Sequence, residues 1–259
     1  MLLLFSPGLQ AKPLVIGGSG TDLGTFRLLA ETFIQSNPSV EIKILPSMGS
    51  SGGVKALKHG MLDLVLTSRA LKDKETSHEL ISVHYASTPL VFAVADTSKQ
   101  HNINTDQVLK IYTGALKHWP DGSVVRPVLR PSTDSDTKIV LDSLIECKKC
   151  FYQAYQRREL PVAITDQESA DMIGDIPGGL GTSTLALILS ENKPIKALTL
   201  NNVAASAHNL KNKTYPMYKK LYLVYKRQPG NPNLSAFLSF LSTEPAQSIF
   251  LNTAHLVVK

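Results

Sequence analysis

Cysteine is scarce in this chain: there are 2 in 259 residues, Cys147 and Cys150. So few exclude a disulfide-built scaffold and a multi-cysteine zinc site. The pair stands as Cys147-Lys148-Lys149-Cys150 inside a stretch that reads as one helix from Ser135 to Arg157. No βαβ redox context surrounds it, so a local structural disulfide or two inert thiols are the readings left open. In an exported chain the oxidised form is expected. Beyond the N-terminus no long uncharged run occurs, so no membrane-spanning helix is expected. Dense arginine runs and basic–aromatic alternation are missing too, which argues against nucleic acid as a partner. The 7 histidines show no metal-ligand spacing, so neither a metal nor a cofactor is expected. There is no internal repeat and no low-complexity tract.

What is present is an ordinary globular mixture, 43% hydrophobic and 19% charged, with a formal net charge of +6. The length suits one large domain or two lobes of about 100–150 residues each. A modest positive excess either steers anions by long-range attraction or simply serves solubility. Lys148-Lys149 and Lys219-Lys220 are short enough to read as solvated faces. The first residues, Met1 to Ala11, resemble the tail of a secretory signal peptide that lacks its basic start.

Along the chain, strands and helices alternate. Leu14-Val15-Ile16 is a short apolar strand ending in Gly17-Gly18. Phe26, Leu29, Ala30 and Phe33 repeat at helical spacing up to Asn37-Pro38. Residues 40–44 alternate as a half-buried strand, and residues 63–67 form another. This alternation argues for α/β architecture with mainly parallel strands. The apolar segment 89–95 suits a strand leaving a first lobe, and 221–225 suits one carrying the chain back. Residues 162–164 and 197–200 are further strand candidates, 185–189 is strand or helix, and 234–251 reads as a helix pair.

Three loops share one chemistry. They are Gly17-Gly18-Ser19-Gly20-Thr21, Gly49-Ser50-Ser51-Gly52-Gly53, and Arg130 through Thr137. Each follows a predicted strand and leads into a predicted helix. A helix start exposes unpaired N–H groups and the positive end of a dipole, so it favours anions. Thr21, Ser50, Ser51, Ser135 and Thr137 add hydroxyl groups. Glycines let the backbone approach a ligand closely, and Arg130 is a natural bidentate partner for an oxyanion. Taken singly, each loop is ordinary turn and cap chemistry; three with an arginine predict a converging anion pocket.

Other motifs carry less. Gly49 to Lys55 lacks the spacing of a nucleotide P-loop, and Leu23 stands where a dinucleotide fingerprint needs its third glycine. Gly49-x-Ser51-x-Gly53 matches the nucleophile elbow of serine hydrolases, and Asp171 or Asp175 with His208 or His255 would complete the order. A Gly/Ser-rich loop meets that pattern by chance, so hydrolysis is the weakest of the readings and no enzyme is expected.

The order of these segments resembles the phosphate-binding proteins of ABC transporters. The resemblance rests on Gly18-Ser19-Gly20-Thr21, Gly49-Ser50-Ser51-Gly52-Gly53-Val54-Lys55, and Asp63-Leu64-Val65-Leu66-Thr67-Ser68-Arg69. It continues through Ile111-Tyr112 with Gly114 and Trp119, Arg130 with Asp134-Ser135 and Thr137, and Ile176-Pro177-Gly178-Gly179-Leu180-Gly181. It implies an α/β, two-lobed periplasmic-binding-protein fold of type II with two crossover strands, near 89–95 and 221–225. Residues 1–11 would be the leader remnant, 12–90 with 225–259 the first lobe, and 91–224 the second. The implied function is capture of inorganic phosphate by an exported, periplasmic, monomeric protein that serves an ABC transporter permease. Sulfate, molybdate or a sensory role are the alternatives.

Carried over by position, the resemblance implies ligand contacts at Gly20, Thr21, Asp22 through its backbone, Ser50, Ser51, and Ser68 or Arg69. It adds Arg130, Ser135, Asp136 through its backbone, and Thr137. Two positions depart from the pattern. One branch of the family has aspartate where this chain has Arg69, and that aspartate accepts a proton carried by phosphate. Arg69 is expected either to bind ligand or to pair with Asp22, Asp134 or Asp136. Asp136 stands where the family commonly has glycine; its carboxylate would accept a phosphate proton or weaken anion binding.

Overall fold

The computed structural model describes residues 12–144 and 146–258, without the side chain of Cys147. The leader-like stub and any Cys147–Cys150 pairing lie outside the described residues; Cys150 itself is buried.

β1 (Leu14–Gly18) is the apolar run before the double glycine. It pairs in parallel with β2 (Ile42–Ile44) on one side and β3 (Leu64–Thr67) on the other. α1 (Leu23–Ser36) and α2 (Gly49–Lys58) make the connections. The expected stripe of α1 is buried: Phe26, Leu29, Ala30 and Phe33. β4 (Leu80–Ala95) then runs 16 residues through the middle of the molecule.

Beyond it come β5 (Asn102–Ile103), α3 (Thr105–Thr113), β6 (Arg126–Pro127), α4 (Ser135–Ser143), α5 (Cys147–Gln156) and α6 (Asp166–Asp175). β7 (Gly179–Thr184), α7 (Leu185–Glu191), β8 (Ile195–Ala197), β9 (Thr199–Leu200) and α8 (Ala207–Lys211) follow. The chain returns along β10 (Tyr218–Lys226) and ends in α9 (Asn233–Phe240), α10 (Glu244–Asn252) and β11 (Leu256–Val257). The main sheet runs β2-β1-β3-β10-β4-β7-β6.

β4 belongs to two halves of the structure. Up to Pro89 it pairs antiparallel with β10; from Leu90 it pairs with β7. The switch falls at a proline, which has no N–H to give to either ladder. The first half is cored by α1, α9 and α10 around Phe26, Phe237 and Phe250. The second is cored by Phe92, Tyr112, Phe151 and Met217.

The return strand departs from expectation. Residues 221–224 are expected in the second lobe, but β10 pairs along its length with β4 before the switch and with β3. Leu221, Leu223 and Val224 are buried in the cores of the first half. The crossing occurs earlier, because Met217 is still buried in the second core and its carbonyl accepts from the Leu90 N–H at 3.0 Å.

Three local readings are also revised. The single helix over 135–157 is two, because Leu144 leaves helical geometry (φ −124°, ψ 75°) and buries in the core. Residues 162–164 make only one bridge, Leu129 with Val162. Residues 185–189 are helical, capped by Thr184, whose hydroxyl accepts from the Leu187 N–H.

Phe26 is fully buried, with its ring 5.9 Å from Tyr85, 6.3 Å from Phe237 and 6.4 Å from Phe250. Phe26→Ala removes the centre of this cluster. The expected cost is about 3–5 kcal/mol, read from the shift of the urea unfolding midpoint.

Candidate functional site

Two glycines bring the first two loops together. Gly18 has φ +129°, and a Cβ there would lie 2.2 Å from the Leu66 carbonyl oxygen. A Cβ on Gly53 would lie 2.7 Å from Val65 and 2.8 Å from the Gly18 Cα. Only glycine lets α2 sit this close to the sheet. The result sets Ser50, in the first turn of α2, beside Ser68 at the end of β3. The Ser50 Oγ accepts from the Ser68 N–H at 3.1 Å, and the two hydroxyls are 3.3 Å apart. The Ser68 Oγ lies 3.5 Å from the Ser135 Oγ, which belongs to the other half of the structure. Three hydroxyls from three chain segments thus meet across the halves. The helix start beneath them is open, because α2 has no side-chain cap.

The third loop is built differently. Asp134 caps α4, its Oδ1 accepting from the Asp136 N–H at 2.9 Å. The amide expected to hold an anion therefore already holds a carboxylate. Thr137 turns its hydroxyl inward, 3.0 Å from the Pro131 carbonyl oxygen. Tyr155 donates to the Arg130 carbonyl at 2.5 Å and lies 3.2 Å from the Thr137 hydroxyl, bracing the loop. The guanidinium of Arg130 donates to the Ala163 carbonyl at 3.0 Å and to Asp134 at 3.0 Å, and lies 3.7 Å from Asp166.

Behind Arg130 lies a buried charge cluster that spans the halves. Lys219, on β10, is 1% exposed. Its Nζ lies 2.5 Å from Asp136, 2.8 Å from Asp166 and 3.0 Å from the Thr21 hydroxyl. Burial alone would lower its pKa, but Asp136 and Asp166 outweigh burial and raise it. Burial would likewise lower that of Arg130, and Asp166, Asp136 and Asp134 raise it. Burial pushes the Asp136 carboxyl above the ordinary range against the pull of Lys219. For Asp166, burial acts upward, but Lys219 and Arg130 hold the carboxyl below its ordinary value.

In front of Arg130 opens a cavity of about 910 Å³. Ser50, Ser51, Ser68, Arg69, Arg130 and Ser135 line it. Gly20, Thr21, Asp22, Asp136 and Thr137 are not among its walls; all five are buried. The Asp22 carboxylate faces the first core, bonded to the Tyr85 hydroxyl and to His255 Nε2 at 2.9 Å.

Arg69 pairs with none of Asp22, Asp134 or Asp136. It grips Glu75 with two bonds, at 2.7 and 2.8 Å, and donates to the Ser51 hydroxyl at 2.8 Å. The short Asp73–Glu75 helical turn supplies that partner. The Ser51 hydroxyl in turn donates to the Glu75 carboxylate at 3.2 Å; that carboxylate is already held by Arg69, which makes it a poor base for a serine nucleophile. His255 is engaged by Asp22, and His208 by Asn212 at 2.8 Å.

Lys219, Asp166 and Glu75 were missed in the sequence. A signal existed for Lys219: it shares the period of two with Leu221, which is buried on the same strand, whereas Lys220 is exposed. Asp166 and Glu75 carried none, since each meets its partner only through tertiary folding.

Comparison with known proteins bears on the fold. A family model described as a PBP superfamily domain matches residues 6–244. The phosphate-binding protein PstS of Bacillus subtilis (strain 168) is 24% identical over 243 residues, covering 90% of this chain and 76% of that protein. A Clostridium perfringens protein assigned as a phosphate ABC transporter substrate-binding protein, solved with bound phosphate, superposes with a TM-score of 0.78 at 20% identity. That match covers 96% of this chain and 100% of the other. The periplasmic molybdate-binding protein of Azotobacter vinelandii superposes with a TM-score of 0.66 at 14% identity, over 95% of this chain and all of that one. A long shared strand, two cores with a cavity between them and a family match over most of the length lead to one assignment: this chain belongs to the PBP superfamily.

Proposed function

We propose that this protein is a solute-binding protein that captures phosphate between its two halves and delivers it to an ABC transporter permease. The observation that carries this reading is the meeting of Ser50, Ser68 and Ser135, from both halves, beside Arg130 on one cavity wall. The names of the relatives support it: PstS is a phosphate-binding protein, and the Clostridium perfringens structure holds phosphate. The chemistry is non-covalent. Hydroxyls and the open amides of α2 replace the water shell of the anion, and Arg130, its charge already balanced by Asp134, adds an N–H donor. Approach of the two halves excludes solvent. Among the described residues no helix is long and apolar enough to cross a membrane. Export to the periplasm, where the permease would meet the loaded protein, completes the proposal.

Selection among oxyanions follows from the wall. Arg69, permanently protonated and paired with Glu75, offers no proton acceptor at the position after Ser68. Asp134 and Asp166 line the cavity instead. They accept a hydrogen bond from a protonated oxyanion and repel a fully ionised one, which favours phosphate over sulfate and molybdate.

Phosphate is expected to raise the melting temperature of the ligand-stripped protein, more than sulfate or molybdate at equal concentration. Absence of any shift together with absence of calorimetric heat would sink the reading. Arg130→Gln should weaken phosphate binding by about 2–5 kcal/mol, measured by calorimetry on a variant whose circular dichroism is unchanged.

Glu75 gives a pH test of the Arg69 wall. The hydrogen bonds from Arg69 lower its pKa from 4.5 to about 2. Its folded pKa lies below the unfolded one, so the stabilisation is whole above the ordinary value and is lost as pH falls through about 2. Glu75→Gln should therefore flatten the acid limb of stability between those values, read from unfolding midpoints across pH.

A further inference from the structure

The unpaired positive charge of the cavity lies on its lysines rather than on its arginines. Five cationic side chains line the cavity, Arg69, Lys72, Arg130, Lys138 and Lys220, against two carboxylates, Asp134 and Asp166. The two arginines are already compensated. Arg69 is locked to Glu75, and Arg130 is held by Asp134 with Asp136 and Asp166 close behind. The uncompensated charge is on the lysines. Lys72, Lys138 and Lys220 are all exposed, and none has an ion-pair partner among the described residues. They come from three places: the turn after β3, α4 and β10. Both halves of the structure thus contribute to them.

The cavity is also large. At about 910 Å³ it lies near the top of the range of about 300–1,000 Å³ that suits whole organic ligands. A single phosphate at the serine hydroxyls fills only a small part of a cavity of this size.

Resting on the oxyanion reading above, we propose that the solute carries two anionic groups, as in a condensed diphosphate or a carbon-bridged diphosphonate. One group is held by the Ser50, Ser68 and Ser135 hydroxyls. The other faces Lys72, Lys138 and Lys220, where an anion meets charge that no carboxylate of the protein has neutralised. A dianionic end group there offsets the lysines without displacing the Asp134–Arg130 pair.

The test is calorimetry on the ligand-stripped full chain with orthophosphate, pyrophosphate and methylenediphosphonate at one salt concentration. The two-headed anions are expected to bind at least about tenfold more tightly than orthophosphate. The triple variant Lys72→Gln, Lys138→Gln, Lys220→Gln should lose most of that preference, weakening the two-headed anions more than orthophosphate. Orthophosphate binding as tightly as pyrophosphate would overturn the proposal and leave the phosphate reading standing. Failure of all three anions to bind would overturn both. A triple variant that loses affinity equally for all three, through the association rate, would make the lysines a steering ring and also overturn it. A preference that survives the triple variant intact would remove the lysines from the site.

Discussion

Lys219 is the hinge on which the charge balance of this molecule turns. Its ammonium is shut away from water between Asp136 and Asp166, at 2.5 and 2.8 Å, with Thr21 as a third partner. The lysine comes from β10, beside the first core; both aspartates come from helix starts on the other side of the switch at Pro89. Burying such charges is costly, and breaking a buried pair by removing one partner costs about 3–5 kcal/mol. The arrangement therefore joins the two halves through one buried charge cluster and is weak as a source of net stability. It also dictates where Arg130 sits, since its guanidinium shares Asp136 and Asp166 with Lys219.

The consequence for ligand chemistry is a displacement of charge. In the inner part of the site, carboxylates occupy positions that an anion would otherwise use: Asp134 takes the amide of Asp136, and Asp166 faces Arg130. What the inner wall keeps for a ligand is hydroxyl chemistry and the uncapped start of α2. Net positive charge is pushed outward to exposed lysines. Recognition is thus shared between a neutral, directional inner wall and a cationic outer one. Directional hydroxyls and amides discriminate by geometry, whereas exposed lysines act over longer range and yield to salt.

Much of the architecture was legible because it rests on local rules. The apolar run into Gly17-Gly18, the alternation of residues 40–44 and the 3.6-residue spacing of α1 are properties of short segments. The loops with Ser50, Arg130 and Ser135 were legible for the same reason, whereas Ser68 came only from the family resemblance. Gly/Ser/Thr chemistry at a strand-to-helix turn shows in a few consecutive residues, and the structure brings these four to one cavity. Thr137 and Asp136 carry the same signature but turn away, Thr137 toward its own loop and Asp136 toward Lys219. The return of the chain was misplaced because Leu221 to Tyr225 is apolar enough for either core. Only its partners, β3 and the early part of β4, decide between them.

The sequence by itself determined the α/β alternation, the glycines that let α2 approach the sheet, and the set of hydroxyls and the arginine at the loops. These depend on backbone freedom and side-chain type, which neighbours along the chain already express. The tertiary structure alone decided which charges cancel. Arg69 meets Glu75 rather than any of the aspartates expected for it, and Lys219 becomes the buried partner of Asp136 and Asp166 instead of a solvated surface residue. Ion pairing depends on distance and on exclusion of water, and both are created only when remote segments pack together.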